Sequence, residues 1–245
     1  MRALSAQVRA ETYMTLRRGE TLLLTIGIPV VFLIFFSSVH VISTGTSTAV
    51  DFVVPGILSL AIMSTAMVSL GIATGFERGY GVLKRLGTTP LGRPRLLGAK
   101  VSTVLLVEVL QAVVLVVVGL ALGWSAGGLS GAPAIGEAVA VGLLGTVAFG
   151  GIGLFLAGVL RPEVNLAAAN GLYLVLLLLG GMIVPLAKLP SGLADVARLL
   201  PAAALSDGRH GSLGTAGTVP LESWVVLALW AVAAPVAAAL TFRWE

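Results

Sequence analysis

IGEAVAVGLLGTVAFGGIGLFLAGVL at 135–160, RPE at 161–163, VNLAAANGLYLVLLLLGGMIVP at 164–185: two long apolar runs flank three polar residues. A bilayer's hydrocarbon core is about 30 Å thick and takes roughly 20 apolar residues of helix to cross. Each run is long enough. Arg161–Pro162–Glu163 is short, so the runs pair as an antiparallel helical hairpin across a membrane.

Working outward, four further stretches read as spans: about 21–39, 52–76, 101–122 and 224–242. The fold class is therefore all-α, a polytopic membrane protein with six transmembrane helices. The composition agrees, with 57% apolar residues and only 11% charged. A soluble domain carries about 25% charged residues, and it could not hide this much apolar surface from water. The loops leave no room for a soluble domain, so residues 1–245 read as one membrane domain. The first span is longer than a typical secretory h-region of about 7–15 residues. His40, Val41 and Ile42 follow it where a cleavage site would need small residues.

Lys and Arg set the orientation, because cytoplasmic loops carry an excess of both. With both termini cytoplasmic, 12 of the 15 fall on that side; Lys188, Arg198 and Arg209 lie outside. The split also accounts for the pI near 10.0. The cations face the anionic inner leaflet of the lipid bilayer, and no nucleic-acid partner is needed. Trp124 and Trp224 at the outer ends and Tyr80 and Trp244 at the inner ends fit an aromatic belt.

Three polar segments have structure of their own. Residues 1–20 read as a cytoplasmic interfacial helix, weakly amphipathic through Leu4, Val8, Tyr13 and Leu16. Residues 186–223 form an external loop in which Ser191 caps a short helix ending at Pro201, with Leu193, Val196, Ala197 and Leu200 on one face. Residues 77–100 form a cytoplasmic loop. In it Val82, Leu83 and Leu86 share a face, Lys84 and Arg85 lie beside it, and Gly87 and Pro90 end the segment. Such a helix can dock on a partner protein, or it can be a solvated basic loop; the residues alone leave both open.

Several patterns bear on chemistry. Glu108 stands about two turns inside the third span, and Gln111, three residues on, shares its face. A carboxylate there must be paired, wetted or protonated. It belongs either to a substrate pathway or proton-linked site, or to a structural hydrogen bond with a neighbouring helix. Gly71-x-x-x-Gly75 and Gly119-x-x-x-Gly123 have the spacing of close helix packing. Gly123-Trp124-Ser125-Ala126-Gly127 matches a hydrolase elbow, but that motif needs a strand before it. Gly128-Leu129-Ser130-Gly131 resembles the serine motif of rhomboid-type intramembrane proteases, yet neither His40 nor His210 lies in a span where it could act as base. The chain has no cysteine, and its two distant histidines show no metal-ligand spacing. No Gly-x-x-x-x-Gly-Lys-Ser/Thr stretch is present, so no cofactor is expected in this chain.

Three stretches together resemble a known family. They are Asp51-Phe52-Val53-Val54-Pro55-Gly56 opening the second span, Glu77-Arg78-Gly79…Leu83-Lys84-Arg85-Leu86…Thr89-Pro90 after it, and Gly180-Gly181-Met182-Ile183-Val184-Pro185 before Leu189-Pro190. The chain resembles the ABC-2 type permeases, the membrane subunits of bacterial ATP-binding-cassette exporters. The resemblance covers nearly the whole chain and implies an ABC-2 (type V exporter-like) fold in the bacterial cytoplasmic membrane. It implies a separate ABC ATPase subunit carrying ATP and Mg, and a second permease subunit, identical or similar. It assigns ATPase coupling to Glu77, Arg78, Gly79, Tyr80, Val82, Leu83, Lys84, Arg85 and Leu86. It implies export of an amphipathic or lipid-like solute such as a drug, lipid, glycan or haem-related species. A proton-coupled secondary transporter centred on Glu108 is the alternative.

Overall fold

The structure is a computed structural model, which describes residues 9, 13, 19–38, 49–87, 93–125, 132–214 and 218–242. Among these every regular element is helical. They are α1 (Gly19–Ser38), α2 (Ala49–Gly79), α3 (Val82–Gly87), α4 (Arg93–Ala121), α5 (Ala132–Val159), α6 (Pro162–Leu179), α7 (Ser191–Arg198), α8 (Pro201–Leu213) and α9 (Leu221–Thr241). A single 3₁₀ turn, Leu186–Lys188, precedes α7. Five helices (α2, α4, α5, α6 and α9) are long and apolar enough to cross a membrane; the shorter apolar stretch of α1 is Thr25–Ser38.

The centre of the bundle is α2. It is apolar on all sides, and Val50 through Met63 are buried without a break. A helix hydrophobic all round belongs in an interior. The other helices surround it: α1 and α4 on one side, α5, α6 and α8 on the others, with α9 against α5. Small residues set the spacing. Gly71 and Gly153 bring the backbones of α2 and α5 into contact, and Gly75 leaves room for Asn165 of α6. The Asn165 amide donates to the Gly71 carbonyl at 2.9 Å. Gly151 lies against Pro235, which seats α9 on α5. The first glycine pair from the sequence is thus a packing face. In the second pair only Gly119 packs, against Val54, while Gly123 takes φ 89° and turns the chain out of α4.

Inside α2, Met63–Ser69 is a π-helical segment. Such segments add a residue to a turn and locally widen the helix. Here the carbonyls of Ala66 and Met67 lie over Gly153.

Several sequence-based boundaries are corrected. The second span is longer than 52–76, because helix runs on through Glu77, Arg78 and Gly79. The segment 77–100 is mostly helix, since α4 begins at Arg93 rather than 101. The turn at 161–163 is tighter still: Pro162 is the first helical residue of α6, where its fixed φ suits a helix start. The fifth span ends at Leu179, not 185. Gly181 adopts φ 67°, turning the chain so that fully buried Met182 lies on Gly56 of α2. Residues 186–223 hold two helices. Ser191 makes no capping bond, with Pro190 at the N-cap. On α7 Ala194 and Ala197 are buried, while Leu193 and Val196 are exposed. The second helix, α8, is buried along most of its length. The fourth span carries a carboxylate, Glu137, near its start, and its Oε2 is buried without a hydrogen-bond partner. The proposed interfacial helix at 1–20 lies outside the described residues except Arg9 and Tyr13, which are helical and exposed, and Gly19 and Glu20, which begin α1. His40, Thr88, Thr89, Pro90, Ser130 and Trp244 also lie outside them.

Candidate functional site

Functional groups gather at two places: the end of the bundle that carries α3, and a half-open cavity between helices.

At the α3 end, residues 77–86 divide into two parts with different work. Glu77 is in the last turn of α2, and its carboxylate meets Lys100 of α4, with Nζ 2.8 Å from Oε1 and 2.6 Å from Oε2. The Lys100 side chain is 4% exposed and that of Glu77 29%. Arg78 donates through Nη1 to the Gly158 carbonyl and through Nη2 to the Leu160 carbonyl. The last carbonyls of a helix have no partner inside it and carry partial negative charge, so this guanidinium caps α5. Gly79 allows the ring of Pro162 to sit against α2. These three residues tie α2 to α4, α5 and α6.

Past them the chain turns outward. Tyr80 stacks on Phe76 with ring centroids 6.0 Å apart and is 73% exposed. Gly81 has φ 70°, a conformation that costs other residues roughly 1 kcal/mol or more. In α3, Leu83 is fully buried against the bundle, while Val82, Lys84 and Arg85 are exposed. The side chain of Leu86 lies outside the described residues. Among the described side chains Leu83 seats this short helix, and Val82, Lys84 and Arg85 form an exposed, basic and partly apolar face.

The cavity of about 170 Å³ lies between α2, α4, α5 and α8. Glu108 and Gln111 both line it, but they are employed differently. The Gln111 amide is engaged at both ends: Nε2 donates to the Thr25 carbonyl at 2.8 Å, and Oε1 accepts from Thr65 Oγ1 at 2.9 Å. It clamps α1 and the π segment of α2 onto α4. Glu108 has one oxygen in use, Oε2, which accepts from Thr146 Oγ1 at 2.6 Å; Oε1 is buried with no hydrogen-bond partner. Arg209 of α8 reaches the same cavity, with its guanidinium over Gly142. Its Nε is also buried and unpartnered. Composition and spacing pointed to Glu108 and Gln111, but not to Thr146 or Arg209. Arg209 is a cation in a Gly/Ser-rich segment, and no periodicity links it to residues 101 and 63 positions away.

At the opposite end of the bundle from α3, Asp207 of α8 is partly buried. Burial pushes its pKa up to about 6; the Arg198 guanidinium opposes the shift and the Glu222 carboxylate adds to it. Its ionised form therefore costs folded-state stability, a penalty complete above about pH 6 and gone below about pH 4. Asp207→Asn is expected to raise the melting temperature at pH 7.5 and to raise it much less at pH 4.5, where only part of the penalty remains; a lower value at pH 7.5 would show the carboxylate to be a favourable partner of Arg198.

Two residues of the enzyme-like patterns, Ser125 and His210, are engaged in hydrogen bonds within the bundle, and Ser130 lies outside the described residues. Ser125 donates from its hydroxyl to Asp51 Oδ1 at 2.7 Å, with its backbone N–H 3.1 Å from the same oxygen. His210 places Nδ1 2.7 Å from the Ser206 carbonyl and Nε2 2.9 Å from the Phe52 carbonyl.

Four membrane-length helices around a fifth that is buried at the centre, with a basic helix at one end, define a multi-pass membrane protein. The family model of the ABC-2 type transporter matches residues 2–209. The chain belongs to that family: it is a permease subunit of an ABC transporter, and membership implies association with an ABC ATPase subunit. A comparison with curated proteins gives no match.

Proposed function

We propose that this chain is the six-span permease of a bacterial exporter, with α1 as its first span and both termini cytoplasmic. It works as a homodimer or beside a similar permease subunit, and separate ATPase subunits that bind ATP and Mg drive it. The cargo is an amphipathic or lipid-like solute. The observation that carries this reading is α3: a short helix seated by Leu83, with Val82, Lys84 and Arg85 facing outward, at the end of the bundle where most cations collect. Residues 77–79 transmit and 80–86 receive. A push on α3 reaches α4 through Glu77–Lys100 and α5 through the Arg78 cap. The family match lends no support to the proton-coupled or protease alternatives.

Arg85→Glu tests the reading, because Arg85 is exposed and its reversal leaves the bundle's own ion pair intact. ATPase activity of the purified complex should lose its stimulation by transport solute, and vesicle transport should fall by tenfold or more, while membrane insertion stays unchanged. Normal transport in this variant would remove α3 from the coupling path. Cysteines placed at Thr46 and Thr88 in this cysteine-free background check the orientation, labelling from outside and inside respectively.

A further inference from the structure

We infer that the cavity between α2, α4, α5 and α8 is a binding site for a small zwitterionic headgroup carried on an apolar chain. The ammonium faces Glu108 and the anionic oxygen faces Arg209. The inference deepens the permease reading and rests on it, because it gives that permease a cargo or a lipid ligand.

Three observations carry it. Glu108 lies near the middle of the α4 stretch Gly98–Ala121 and is only 9% exposed, with Oε1 buried and unpartnered. Arg209 lines the same space, with Nε equally unpartnered, and makes no ion pair with Glu108. A buried acceptor and a buried donor without partners each cost about 1–3 kcal/mol, more when charged. Ionisable groups inside a membrane domain are retained where they serve a ligand or an ion path. One ligand with both signs of charge satisfies both groups at once.

The cavity's size and walls narrow the ligand. A volume of about 170 Å³ resembles the ~150 Å³ of an engineered cavity that holds benzene. That is room for a headgroup of a few heavy atoms, not for a whole amphiphile. The mouth is made by Val109, Val139 and Leu143, all strongly exposed on the bundle surface. An alkyl or acyl chain lies along these residues while the headgroup turns inward between α4 and α5. Thr146 holds Glu108 in place through Oε2 and leaves Oε1, at the wall of the cavity, without a hydrogen-bond partner.

The test is lipid retention by the full-length chain, reconstituted in nanodiscs with equimolar phosphatidylethanolamine, phosphatidylglycerol and phosphatidylcholine, released and weighed by native mass spectrometry. It needs neither ATPase nor transport, so its failure is separate from failure of the permease reading, which the Arg85→Glu assay reports. The wild-type chain should retain phosphatidylethanolamine at least tenfold over phosphatidylglycerol. Glu108→Gln and Arg209→Gln should each abolish that preference. Gly142→Ala provides a variant with both charges kept: its methyl would meet the flexible end of Arg209, and preference should fall severalfold as the guanidinium moves. Competition by glycerophosphoethanolamine would assign the site to a free zwitterion, and lack of competition to the lipid. Equal retention of the three lipids by the wild-type chain overturns the inference. So does unchanged preference in Glu108→Gln and Arg209→Gln or, where those two fail to fold, in Gly142→Ala.

Discussion

Glu77→Gln should destabilise the protein by about 1–3 kcal/mol, between the cost of breaking an exposed ion pair and that of removing one partner of a fully buried one. The ammonium that loses its carboxylate, Lys100, is almost wholly buried, and solvent cannot replace what the carboxylate supplied. Removing both charges is a different matter. A buried pair exchanged for apolar side chains of similar size is often neutral, so Glu77→Gln with Lys100→Met should recover most of the loss. The measurement is thermal or denaturant unfolding of the purified chain in detergent, for both single variants and the double. If the double is as unstable as Glu77→Gln, the pair is not the source of the loss. Glu77 is for this reason a poor probe of ATPase coupling: reversing its charge would damage the bundle before it could report on a partner.

Gly153→Leu should cost about 3 kcal/mol or more, at the upper end of what overpacking does to a close-packed interior. A side chain at 153 would run into the Met67 and Ala66 carbonyls of α2. Backbone atoms cannot swing away as a side-chain tip can, so α5 would have to separate from α2 along the π segment. The loss should show as a lower melting temperature and poor yield from the membrane. Gly171→Leu on α6, where an added Cβ meets nothing within 4 Å, is the matched control and should behave like the wild-type chain. Equal tolerance at both positions would mean that α2 and α5 are not in backbone contact.

Much of the architecture was legible in the chain because lipid imposes a simple rule. Every backbone polar group must be satisfied within its own segment, so long apolar runs become helices. Residues 101–122 and 135–160 needed nothing more. Residues 180–185 are apolar as well, yet they are not helical, because a left-handed Gly181 turns Met182 onto Gly56. Hydropathy cannot register a turn that packing makes favourable. For the same reason α8 escaped notice: its alanines, serines and glycines carry no periodicity, and it is a helix buried by its neighbours rather than by lipid.

The functional groups divide along the same line. By itself the sequence determined the membrane class, the helices from 101 to 179 to within a few residues apart from the start of α4 at Arg93 and the early end of α6 at Leu179, the basic end with its Lys84–Arg85 segment, and the presence of an acid at 108. These follow from local composition and from the energy of placing charge in lipid. Only the tertiary structure decided that Glu77 belongs to Lys100, that Arg78 caps α5, that Gln111 is engaged at both ends of its amide, and that Glu108 bonds to Thr146 and shares a cavity with Arg209. Each of these joins residues 23 or more positions apart. Contacts over such separations are set by how helices cross, and helix crossing depends on the shapes of side chains that meet only once the chain has packed.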